Sequence, residues 1–170
     1  MNNTKTTILQ RVDVRVLLFA GFLGVSVAAS YIRNQLVTGS IVNATLFMAV
    51  ITLGLREAMM ICLIPSLVSI STGLLPIILA PMIPFIMLSN ATLVATFDIF
   101  RHKPKIGFVI APLAKFVVIY GASFLVASLI KQPQVVLKAA AMMGYMQLVT
   151  VLIGAAIAMS ILNYKEIFKR

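Results

Sequence analysis

The sequence predicts an all-α integral membrane protein: one domain over residues 1–170, with six transmembrane helices and both termini in the cytoplasm. Three observations lead there. Hydrophobic residues fill 61% of the 170 positions and charged residues only 11%, against about 25% charged in a soluble domain. The apolar residues gather in runs that approach the ~20 needed to cross a bilayer as a helix, and mean hydropathy is +1.08. The basic residues between the runs are shared unequally, and that sets the orientation.

The runs fall at about 14–32, 38–55, 57–72, 81–100, 106–130 and 139–162. The first follows a polar, moderately basic stretch and exceeds the roughly 7–15 apolar residues of a signal-peptide core, so it is read as a retained span. Only Arg56 and Glu57 separate the second and third, which predicts a tight hairpin at the membrane surface. Between the third and fourth lies GLLPIILA (73–80), too short to span and broken by Pro76. Irregular backbone at membrane level needs cover or a cavity, so this loop is expected to cap the helix ends. The fourth span opens on Pro81 with Pro84 in its first turn, where a missing N–H is tolerated.

Ten of the fourteen Lys and Arg fall on one side: Lys5, Arg11, Arg15, Arg56, Arg101, Lys103, Lys105, Lys165, Lys169 and Arg170. Arg33, Lys131 and Lys138 lie on the other, and Lys115 is inside a span. The net charge of +10 is thus an orientation signal scattered among apolar spans, not a nucleic-acid surface. Cys62 is the sole cysteine and reads as a small buried hydrophobe.

Lone polar residues inside the spans are the candidate site. Lys115, in APLAKFVVIY, lies about 14 Å into its helix at ~1.5 Å per residue, near the midplane. An ionisable group there usually faces a bundle interior or a pathway, and would bind an anionic or strongly polar group; the alternative is snorkelling to the interface. Asn90 falls at similar depth, Asn43 in the outer part of the second span, and Tyr145 and Gln147 a third to half of the way into the sixth. Singly, each amide could be an interhelical hydrogen bond worth about 0.6 kcal/mol. Together they predict a pocket in the outer half, beneath the proline-broken loop.

Ala20, Gly24 and Ala28 recur every four residues on the first span, which makes a smooth stripe for close approach of another helix, inside the bundle or from a partner. Ten methionines invite thoughts of haem or copper, but His102 is the only histidine and methionine is common apolar filling, so no metal or cofactor is expected. No HExxH, intramembrane aspartate pair, Ser–His arrangement or phosphate-cradling glycine loop is found, so no enzyme activity is expected either.

The stretches GSIVNATLFMAVITLGLREAMMICLIPSLVSISTGLLPIILAPMIPFIMLSNATLV (39–94) and APLAKFVVIYG (111–121) resemble the substrate-binding S component of energy-coupling factor (ECF) transporters, in a subgroup of unassigned substrate. LAPMIPFIMLSNA is the most specific part, and Ser89 stands where that subgroup is expected to carry glycine. The resemblance implies a multi-pass protein of a prokaryotic plasma membrane that captures a vitamin or similar nutrient from outside. It further implies toppling against a transmembrane coupling protein driven by two cytoplasmic ATPases. Ala20, Gly24 and Ala28 would meet the coupling protein, and Asn43, Asn90, Lys115, Tyr145 and Gln147 would line the pocket. The alternatives are a structural or assembly subunit without a ligand and, third, a stand-alone ion-coupled carrier, which lacks an intramembrane acid.

Overall fold

A computed structural model describes residues 3–32, 34–73, 77–129 and 144–167, and every element in them is helical. The helices are α1 (Asn3–Ser30), α2 (Gln35–Thr52), α3 (Leu55–Ser71), α4 (Ile83–Ile99), α5 (Pro104–Leu129) and α6 (Tyr145–Ile167), with a 3-10 segment at Ile77–Met82. Five of them are long and apolar enough to cross a membrane: α1 from Asp13, α2, α4, α5 and α6. The exception is α3, whose 17 residues reach about 25 Å at 1.5 Å per residue, short of a ~30 Å hydrocarbon core.

Short connections fix the antiparallel order. Asn34 caps α2, its Oδ1 accepting from the backbone N–H of Leu36 (3.0 Å) and Val37 (3.3 Å). The α2–α3 turn falls at Leu53–Gly54, earlier than the expected Arg56–Glu57, because Gly54 takes a φ of +102° that a side chain would resist. Arg56 and Glu57 belong instead to the first turn of α3. Arg15 of α1 reaches across to the Leu53 carbonyl (2.8 Å) and the Glu57 carboxylate (3.2 Å). Pro104 opens α5, where its missing N–H has no helical partner to lose.

The 3-10 segment corrects the expected start of α4, since Pro81 lies in this tighter coil and the α-helix begins at Ile83. Met82 is fully buried against Ile119, Ala122 and Val126 of α5, so this methionine is apolar filling. The α6 helix is described from Tyr145, and the expected start near 139 lies outside the described residues. Pro76, Arg33, Lys131, Lys138 and the connection at 131–138 lie outside the described residues.

Helix α2 is the axis of the bundle. Of its 18 residues 61% are buried, against 17% of the apolar stretch of α1, which packs on α2 and α3 from one side. Around this axis the distribution is inverted relative to a water-soluble protein. Leu17, Ile99, Val117 and Phe124 are more than half exposed, while Asn43, Asn90, Lys115 and Gln147 are buried. Most buried hydroxyls are satisfied within their own helix, as with Ser40 on the Leu36 carbonyl (2.7 Å) and Thr45 on the Ile41 carbonyl (2.8 Å). The buried side chains that bond from helix to helix are therefore few among the described residues, and Thr38, Asn90 and Lys115, which do so, mark the site.

Candidate functional site

Lys115 sits eleven residues into α5, about 16 Å from its start. Only 3% of it is exposed. Its Nζ donates to Asn43 Oδ1 of α2 and to Asn90 Oδ1 of α4, both at 2.6 Å. The three expected residues thus meet at one point. Snorkelling is excluded by this geometry, because the ammonium is held in the interior.

The ammonium also fixes both amides. It carries three donors and no acceptor, so each asparagine must present its oxygen and turn its NH₂ away. Asn90 Nδ2 then points at α3, with the Cys62 carbonyl at 3.4 Å and Ser66 Oγ at 3.5 Å, both long contacts. Asn43 Nδ2 is buried and has no acceptor. The third N–H of Lys115 likewise meets no acceptor among the described residues.

These groups line a pocket of about 60 Å³, room for a few water molecules or a compact polar head group. Gln35 and Thr38 of α2, Ser66 and Ser69 of α3, and Gln147 of α6 share its walls. Asn43, Asn90, Lys115 and Gln147 therefore come together from four helices. Tyr145 does not. It is 68% exposed at the first position of α6, and two residues apart on a helix means about 200° around it. With Gln147 turned inward, Tyr145 faces out. The described side chains of the 3-10 segment, Ala80, Pro81 and Met82, do not line the pocket either, so the expected cap finds no support in them.

The sequence reading missed two contributors. Ser66 carries no distinguishing signal, since serine is common in these spans. Gly154 does carry one: it stands in a small-residue run of α6, LIGAAIA, and faces Asn43. A Cβ there would lie 2.7 Å from Asn43 Cβ and 2.8 Å from the Ala44 backbone nitrogen. Its absence lets α6 press against α2 beside the lysine-bound amide.

About one to two turns from the polar residues, three phenylalanines pack against one another in the core. Ring centroids lie 4.9 Å apart for Phe47–Phe97, 5.0 Å for Phe47–Phe108 and 4.8 Å for Phe97–Phe108, in edge-on or tilted arrangements. Gly107 makes room for them, since a Cβ there would meet the Phe97 ring at 2.8 Å. The outward stripe on α1 behaves differently again. Ala20, Gly24 and Ala28 are all exposed, and a Cβ on Gly24 would touch nothing within 4 Å. Internal packing does not account for them.

No group of three His, Cys, Asp or Glu side chains placed to hold a metal occurs among the described residues. Comparison of the chain with protein-family models, with curated proteins and with solved structures returns no match.

Proposed function

We propose that this chain is the substrate-binding membrane subunit of an ECF-type importer, taking a small nutrient from outside a prokaryotic cell and handing it on with the help of a coupling protein and two ATPases. The observation that carries the reading is a buried lysine, held by two amides in a pocket, with three packed phenylalanines beyond it. Such a molecule holds a ligand without offering it a way through. It also has no nucleotide-binding motif, so energy must come from elsewhere.

On this reading all six helices span, α3 included, with bilayer thinning or flanking side chains absorbing its short length. The described basic residues Arg15, Arg56, Arg101, Lys103 and Lys105 gather at the end away from the pocket. By the positive-inside rule that end is cytoplasmic, which puts both termini inside and the pocket outside. The exposed Ala20–Gly24–Ala28 stripe supplies a face for the coupling protein.

The test is purification from native membranes in mild detergent, with mass spectrometry of the proteins that accompany the chain. Recovery of a transmembrane coupling protein and an ATPase pair is expected. Recovery of the chain alone, or within an unrelated membrane complex, would overturn the transporter assignment and favour a structural subunit.

A further inference from the structure

The pocket holds a buried lysine, and no acidic side chain among the described residues reaches it. Asp13 is exposed on α1, Glu57 pairs with Arg15 at 3.2 Å, and Asp98 pairs with Arg101 at 3.7 Å. None of these acids lines the pocket. Two amide oxygens orient Lys115 Nζ but supply no counter-charge, and a buried amine is kept charged only by an opposite charge beside it.

Beside the lysine the unfilled hydrogen-bond positions are donors: the third N–H of Lys115 and the Nδ2 hydrogens of Asn43, a residue only 1% exposed. The hydroxyls on the wall do not fill them. Thr38 Oγ1 donates to the Ala29 carbonyl (2.8 Å) and Ser69 Oγ to the Pro65 carbonyl (2.7 Å), which leaves their lone pairs for the less charged part of a ligand. A cation next to Lys115 would meet like charge. A carboxylate, which when ionised only accepts, matches both the charge and the open positions.

We infer that the pocket recognises its ligand by a monovalent anionic group of carboxylate size, seated between Lys115 Nζ and Asn43 Nδ2. This rests on the reading of the chain as a ligand-binding subunit. A volume of about 60 Å³ admits the head group and leaves the rest of an organic ligand toward Gln35 and Gln147. The anion is either the acid end of such a molecule or a free inorganic ion. Asn43 is a binding residue on this account, and Asn90 positions the lysine.

The experiment follows melting of the purified full-length chain in nanodiscs, detected by a thiol-reactive dye at Cys62, the sole cysteine and fully buried. The probes are acetate, propionate and benzoate, their neutral amides, and chloride, at matched low ionic strength. A saturable rise in melting temperature with the carboxylates and none with the amides is expected. Saturation by chloride at equal or lower concentration would identify a free inorganic ion as the source; preference for a carboxylate would identify an organic acid. Lys115→Gln should weaken the response at least tenfold. Asn43→Asp, which builds in a counter-charge, should abolish it while raising the melting temperature without ligand, and so separates loss of binding from loss of folding. Amides acting as well as carboxylates, no response to any probe, or an unchanged response in both variants would each overturn the inference. A response to amides through Lys115 would leave the ligand-binding reading standing, and anion binding without a coupling partner would sink that reading alone.

Discussion

Three helices each contribute to two opposite environments. Helix α2 supplies Asn43 and Phe47, α4 supplies Asn90 and Phe97, and α5 supplies Lys115 and Phe108. The spacings are four, seven and seven residues, so in every case the polar and the aromatic residue share one helix face, about 6–10 Å apart. One level is a buried lysine held by oriented amides with donors to spare. The other is three phenylalanine rings packed against one another in the core. The aromatic level is built for stability, and the polar level gives up apolar packing to hold a lysine.

Two substitutions should therefore move stability in opposite directions. Phe97 is fully buried and touches both other rings, so Phe97→Ala should cost about 3–5 kcal/mol. Lys115→Met removes a charge that the described fold leaves uncompensated while keeping much of the volume. By analogy with buried ions replaced by apolar residues, it should be neutral or stabilising by about 1–4 kcal/mol. Unfolding midpoints in mixed micelles would read both. Equal losses would mean that Lys115 is a structural pillar and that the contrast between the levels is false.

The polar level was largely legible in the sequence because a lysine or asparagine inside an apolar run has few innocent explanations. Lys115, Asn43, Asn90 and Gln147 all face one pocket. Tyr145 is the exception, exposed at the first position of α6, and its two-residue offset from Gln147 already argued against a shared face. The aromatic level was harder to see. Phenylalanine in a membrane span is ordinary, and only the register of Phe47, Phe97 and Phe108 against the polar residues would have exposed it. The α2–α3 turn was misread for a different reason: charge marked Arg56 and Glu57, but backbone freedom at Gly54 decided where the chain reversed.

Glycines let the comparison be sharpened one contact at a time. Gly154→Ala would drive a methyl into the Asn43 Cβ and the Ala44 backbone nitrogen, which cannot rotate away. Helices α2 and α6 must then part, at about 1–3 kcal/mol, and Asn43 moves with α2. Gly39→Ala meets the Thr150 Cβ and Cγ2, both at 2.9 Å, and this Cβ cannot rotate away either. Both variants should melt below the parent, but the first, whose clash is at Asn43 itself, should lose ligand response disproportionately. Equal ligand responses would show that Gly154 does not set the position of Asn43.

The smallest effect on the fold is expected on α1, and it tests whether a third kind of surface exists beside the two levels. Gly24 has open space where a side chain would go, with Ala20 and Ala28 exposed one turn to either side. A Cβ there meets nothing within 4 Å among the described residues, so Gly24→Leu should change stability by no more than about 0.5 kcal/mol and should leave the response to carboxylates intact. If the proposed importer assignment holds, recovery of a coupling protein should nonetheless fall sharply, because small residues matter at a helix interface chiefly by letting backbones approach. Undiminished recovery would move the docking face off this stripe, whereas a fall in melting temperature would show that α1 is packed more tightly against the bundle than its exposed face implies.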